Sequence, residues 1–290
     1  CIRYSYVRSS VNESTSNEHT NMAKPNIKDL YSQELRDWLG SRTEPSYRAQ
    51  QIQRWLFQKG AGSFLEMTNL SSGLRGALET EYSISRLNTL SRSSSLDGTV
   101  KFLFGLADGL SIESVLIPET KRLTLCISTQ AGCGFGCAFC ATAGMGFKRN
   151  LMPSEILGQV ILAKRRLAER SKRLSNIVFM GMGEPLLNFD NLCTAISNLT
   201  ATEAMGMSPT RITVSTAGVA DRIQELGDRF AVNIAISLNA PESGLRKEIM
   251  PRVSAKHDLD ALLKAAKCIG QTRRKPVTFE YVLLAGVTDR

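Results

Sequence analysis

Residues 123–140 read LTLCISTQAGCGFGCAFC: a short aliphatic and β-branched run that feeds a glycine-rich loop with cysteines at 133, 137 and 140. The first six residues have the character of a buried strand. Gly132, Gly134 and Gly136 then let the backbone wrap tightly, which turns the thiols of Cys133, Cys137 and Cys140 toward one centre. A loop at the carboxyl end of a parallel strand is where α/β folds place their ligands. The stretch therefore implies a parallel α/β sheet and, at its mouth, a set of soft sulfur donors.

Two metal groups compete for such a set. Structural zinc takes four protein ligands, usually as paired Cys or Cys/His sets. No second pair follows here, and His19 and His257 are each more than a hundred residues from the loop. Cys126 remains as a candidate fourth ligand, but strand alternation gives no reason for it to face the loop. An iron–sulfur cluster also takes thiolates, and three of them leave one iron open to a substrate or cofactor. The donor set favours the cluster. Four of the seven cysteines crowd between 126 and 140, while Cys1, Cys193 and Cys268 are scattered. An odd count without a secretory segment excludes a disulfide scaffold and points to a reducing, cytoplasmic compartment.

Outward from the loop, strand-like runs at 123–128, 176–180, 211–215, 231–238 and 277–284 alternate with amphipathic segments. Ile156, Val160, Ala163 and Leu167 share one helical face, as do Val219, Ile223, Leu226 and Phe230, and then Leu259, Leu262, Leu263 and Ala266. Five strands with four intervening helices are repeated βαβ units with right-handed crossovers. Upstream, 99–106 and 111–117 flank Ala107-Asp108-Gly109, a good hairpin turn. Residues 26–85 are helical in pattern, with Ser32 as an N-cap, Gly40 and Gly60 as stops, and a helix over 47–59. The expected division is a disordered or non-native leader at 1–21 ahead of Met22, a helical accessory domain at 22–95, a β-hairpin connector at 96–120 and a core at 121–290. An apolar fifth strand ending at Arg290 without a covering helix is the expectation for a fragment.

The composition is that of an ordinary soluble globular chain of 290 residues, 42% apolar and 22% charged. No run approaches the ~18 apolar residues of a membrane-spanning helix. Lys and Arg number 36 against 27 Asp and Glu, a net charge of +9 that suits a polyanion, RNA or DNA first. Much of the excess lies in Lys164, Arg165, Arg166, Arg170, Lys172 and Arg173, with Lys148 and Arg149 after the cysteine loop.

The C-x3-C-x2-C array followed by GMGEP resembles the radical S-adenosylmethionine (radical SAM) superfamily. More narrowly, CISTQAGCGFGCAFCATAGMGFKRNL, NIVFMGMGEPLLN, RITVSTAGV, AISLNAPESGLRKEIMP and FEYVLLAGVTD, in that order, resemble the RNA adenine carbon-2 methyltransferases of the RlmN type. The resemblance implies an incomplete (β/α)6 partial barrel. It implies a 4Fe–4S cluster on Cys133, Cys137 and Cys140, with S-adenosylmethionine held by Gly183, Glu184, Ser215, Ser237, Leu238 and Asn239. It assigns Glu113 as a proton acceptor and Cys126 as the thiol that resolves a covalent RNA–enzyme intermediate. The implied partners are 23S rRNA, tRNA and an electron donor such as flavodoxin, with no membrane. In the family a further cysteine, beyond a sixth strand, carries the methyl group. Cys193 and Cys268 match neither that position nor another in the family, so this chain is expected to lack the methyl carrier and not to turn over. The competing reading is a non-catalytic basic RNA-binding or zinc-stabilised α/β module, and metal content separates the two.

Overall fold

Alternation of period two over 123–128, 176–180, 211–215 and 231–238 requires one side chain in two to face a helical layer. The computed structural model shows that layer; it describes residues 24–289, and the leader expected over 1–21 lies outside them. In chain order the strands are β1 (Asn88–Ser94), β2 (Val100–Gly105), β3 (Ser111–Pro118), β4 (Leu123–Cys126), the two-residue β5 (Gln130–Ala131) and β6 (Arg149–Asn150), β7 (Asn176–Phe179), β8 (Ile212–Thr216), β9 (Asn233–Ser237) and β10 (Thr278–Glu280). β5 and β6 pair with each other, and the rest form one sheet in the order β1-β2-β3-β4-β7-β8-β9-β10. From β4 to β10 all neighbours are parallel. From β1 to β4 they are antiparallel.

The helices are α1 (Ser32–Gly40), α2 (Tyr47–Gln53), α3 (Ser72–Glu81), α4 (Pro153–Ala168), α5 (Phe189–Thr200), α6 (Ala220–Arg229), α7 (Ser243–Ile249), α8 (Pro251–Lys256) and α9 (Leu259–Arg273). Leu125, Ile127, Ile177, Phe179, Ile212, Val214, Ile234 and Ile236 are buried on one face of the sheet. Ile156, Val160, Ala163 and Leu167 of α4 are buried with them in the same core. Alternation leaves Cys126, Ser215, Ser237 and Glu280 on the other face. One buried amide joins the layers: Gln159 Oε1 accepts from Ser114 Oγ at 2.6 Å and Ser128 N at 2.8 Å, and its Nε2 donates to Ser128 O. The N-terminal helices dock through Asp29, whose Oδ1 accepts from Ser154 N in the first turn of α4.

Several expectations are corrected. Residues 88–94 form strand β1 rather than the end of a helical domain; every residue in it is exposed, so no alternation marked it. The hairpin expected as a connector is present and also extends the core sheet, since Val115 pairs with Cys126. The helix over 47–59 changes to π-winding at Arg54–Lys59 before the left-handed Gly60 ends it. Tyr31, not Ser32, caps α1, its N–H donating to Glu34 Oε2 at 2.8 Å, while Gly40 is the last residue of that helix, where a stop was expected. The strand expected over 277–284 is three residues long. Leu263 is exposed rather than packed.

This division of faces sets a stability contrast. Ile156→Ala, which empties a fully buried site in α4, is expected to cost on the order of 2–5 kcal/mol in chemical denaturation. Leu263→Ala is expected to cost under about 1 kcal/mol in the same measurement.

Candidate active site

The cysteine loop is closed at its base by the β5–β6 pair and by Lys148 N donating to Ala131 O. Gly132 has φ +73°, and a Cβ there would collide with the Gly146 carbonyl oxygen. Two helices brace the loop from outside: Ala138 N donates to Ile249 O at 2.9 Å, and Arg252 Nη1 to Gly134 O at 3.0 Å. The result is a cleft of about 250 Å³ at the carboxyl ends of the parallel strands. Cys133, Cys137 and Cys140 line it together with Glu184, Ser215, Ser237, Asn239 and Glu280.

Burial, reinforced by the neighbouring Cys133 and Cys140, pushes the Cys137 thiol up to about 12, and burial raises Cys133 as well. Thiols held this way become thiolates only when a cation offsets the charge, which is what a metal group does. Among the described residues no three His, Cys, Asp or Glu side chains converge at single-ion spacing. Thiols arrayed around a cavity suit a cube ligated at separate corners, and the donor set fits an iron–sulfur cluster better than zinc.

The turn after β7, which also lines the cleft, is built on a close backbone approach. A Cβ on Gly181 would lie 2.7 Å from Ile127 backbone, and one on Gly183, at φ +96°, would collide with Gln130. Met182 O can therefore accept from both Thr129 N and Gln130 N. Gln130 Oε1 accepts from Glu184 N at 2.9 Å, which drives the Glu184 side chain inward. Its Oε2 accepts from Ala217 N at 2.7 Å and its Oε1 from Leu186 N at 3.0 Å. Burial outweighs these bonds and pushes Glu184 up to about 7.

Ser215 and Ser237 both donate to Glu280 Oε2, at 2.7 and 2.8 Å. Asn239 is buried with φ +58°, and its Oδ1 accepts from Val282 N. Leu238 contributes main chain, its N–H donating to Glu280 O at 3.0 Å. Glu113 and Cys126 stand apart from the cleft lining. Glu113 pairs with Lys101 at 2.9 Å and is half exposed. Cys126 is held up to about 11, chiefly by burial and further by the Glu280 charge. Register places Cys126 opposite Val115, hence on the same sheet face as Glu113. Arg149 is an internal tie, bridging Asp108 and Glu155.

The profile of the Ribosomal RNA large subunit methyltransferase N-terminal domain matches residues 25–84, and that of the Radical SAM superfamily matches 127–290. The dual-specificity RNA methyltransferase RlmN of Desulfosudis oleivorans is 45% identical over 264 residues, 91% of this chain and 71% of its own length. The enzyme of the same name from Geobacter sulfurreducens is 46% identical over 263 residues, again 91% and 71%. This chain belongs to the RlmN family of radical SAM RNA methyltransferases. A crystal structure of a radical SAM methyltransferase from Sphaerobacter thermophilus has the same fold, with a TM-score of 0.84 at 38% identity, covering 92% of this chain and 78% of that one. The cofactors of an RlmN-family enzyme are a 4Fe–4S cluster and S-adenosylmethionine, and the cleft of this chain is lined by soft sulfur donors and a buried carboxylate.

Sequence reasoning passed over Glu280 and Arg246. Glu280 had a faint signal, a lone carboxylate inside the apolar run VTFEYVLL. Arg246 had none, because its burial depends on how α7 packs.

The buried carboxyl makes the ligand-free protein pH-sensitive. A group raised from 4.5 to about 7 gives stability that is fully present below about pH 4.5 and lost as pH rises through about 7. Thermal melts should therefore fall between pH 5.5 and pH 8, and Glu184→Gln should flatten that slope. The same variant should weaken S-adenosylmethionine binding at least about tenfold by calorimetry if this carboxylate is what receives the cofactor's ammonium, since a charge-assisted bond would then be lost.

Proposed function

We propose that this chain supplies the cluster- and cofactor-binding part of an enzyme that methylates carbon-2 of adenosine in both 23S rRNA and tRNA, taking electrons from a flavodoxin-type donor in the cytoplasm, and that the methyl-carrying cysteine is none of those in this chain. One observation carries the reading: three cysteine thiols and a buried carboxylate line a single cleft. No described helix is long and apolar enough to cross a membrane.

In this reading Cys133, Cys137 and Cys140 hold the cluster. When bound, the cluster and S-adenosylmethionine supply one-electron cleavage of the sulfonium and hence radical chemistry. Glu184 accepts the ammonium of the cofactor, an ion pair that replaces the lost hydration of a carboxylate uncomfortable when buried and charged. Gly183 lets the backbone approach, and Ser215, Ser237, Leu238 and Asn239 line the rest of the cofactor's path. Cys126 and Glu113, on one sheet face, serve the RNA side of the reaction, as resolving thiol and proton acceptor. The Lys101 ion pair has to open for Glu113 to take a proton. Neither Cys193, buried in α5, nor Cys268, exposed on α9, lines the cleft.

The basic surface supports an RNA partner. Lys164, Arg165, Arg170, Lys172 and Arg173 have no carboxylate partner among the described residues, whereas Arg166 is paired with Glu169. Phosphate contacts of this kind make binding fall steeply with salt. An adenosine reached at carbon-2 within a stacked helix has to be flipped out first.

Anaerobic reconstitution is the test. About four irons and four sulfides per chain are expected, with cleavage of S-adenosylmethionine to 5′-deoxyadenosine under dithionite. Each of Cys133→Ala, Cys137→Ala and Cys140→Ala should abolish both. A colourless protein holding one zinc would instead identify the zinc-stabilised module, and cleavage without any binding of rRNA or tRNA fragments would change the substrate.

A further inference from the structure

α7 carries a charge that the reaction as read above does not use. Arg246 is 1% exposed and is the largest of the fully buried side chains. Its guanidinium donates to the carbonyl of Ala217, to that of Leu238 at 3.2 Å and to Ser254 Oγ at 3.5 Å. All three acceptors are neutral. Among the described residues no carboxylate forms an ion pair with it. Gly218 is shaped around this group, with φ +130° and space for a Cβ only 3.0 Å from Arg246 Nη2. α7 is seated on the cysteine loop: one turn beyond Arg246, Ile249 O accepts from the N–H of Ala138, the residue after Cys137, at 2.9 Å. Burial lowers the guanidinium pKa and the nearby Cys137 raises it. A buried cation without a partner is strongly unfavourable, so a fold that keeps one normally supplies a countercharge.

We propose that Arg246 is a positioning residue for the iron–sulfur cluster, a fixed cation behind Cys137 that raises the cluster's reduction potential. The inference rests on the radical SAM reading. Three thiolates leave the oxidised cluster with a net negative charge, and the single electron from a low-potential donor adds another. No bond forms or breaks and no proton moves in that transfer. A nearby fixed positive charge in a low-dielectric setting favours the more negative state. The guanidinium fork suits the task because it stays charged when buried, and its separate donors pin it to the loops after β8 and β9. Arg252 also donates to the cysteine loop, yet it is exposed and its field is screened by water.

The measurement is an EPR-monitored redox titration of reconstituted protein without S-adenosylmethionine, after iron and sulfide have been counted. At the wild-type midpoint, Arg246→Gln should lower the ratio of reduced to oxidised cluster about tenfold, a shift of about 59 mV to the negative for a one-electron couple. Arg246→Lys, which keeps the charge but loses the fork, should stay near wild type, and Arg252→Gln should shift far less than Arg246→Gln. A loaded Arg246→Gln protein with an unchanged midpoint would overturn the proposal and leave Arg246 as a purely structural clamp. If Arg246→Gln does not load, Arg246→Met takes its place, and equal midpoints for the Met and Lys variants overturn the proposal equally. Failure of the wild-type protein to take up iron would refute the functional reading instead, a distinct result.

Discussion

The turn after β7 reaches the base of the cysteine loop only because Gly181 and Gly183 carry no side chain. That approach lets Met182 O accept two amides from the strand end opposite, and it leaves Glu184 no direction but inward. From Glu184 the connections run on round the sheet. Its carboxylate holds Ala217 N, the Ala217 carbonyl holds Arg246, and Arg246 reaches the Leu238 carbonyl. Four consecutive strand ends are thus linked by hydrogen bonds that begin at two missing Cβ atoms. Disturbing any member moves the others, which is the preorganisation that radical chemistry needs to keep solvent and stray reactions out.

The electrostatics of this mouth are unbalanced in the protein alone. A carboxyl is held near neutrality of pH by burial, two thiols are held protonated, and a guanidinium lies buried against carbonyls. Each is individually unfavourable, and each is relieved by a group of the opposite character. Sites that bind strongly charged ligands are commonly built this way, and perturbed groups clustered in one cleft are a physical pointer to function.

Much of this was legible beforehand, for identifiable reasons. The parallel core followed from alternation at β4, β7, β8 and β9, where burial on the helical face writes itself into every second residue. The loop was legible because glycine at 132, 134 and 136 has a backbone meaning independent of context. What escaped depends on tertiary neighbours. β1 is polar and exposed throughout, held by its ladder with β2 rather than by any apolar pattern. Gln159 and Arg246 look like ordinary surface residues of helices until packing places them inside. Leu263 followed the helical period yet faces outward, while Leu259, Leu262, Ala266 and Ile269 of the same helix are buried.

The pairing of two serines with one carboxylate oxygen has a consequence for ligand choice. Ser215 and Ser237 have spent their hydrogens on Glu280, so what this stretch of wall offers an incoming molecule is lone pairs. A sugar's vicinal hydroxyls bring hydrogens and are welcome there. A phosphate brings only more lone pairs and negative charge, and would meet the Glu280 carboxylate there with neither serine hydrogen free to receive it.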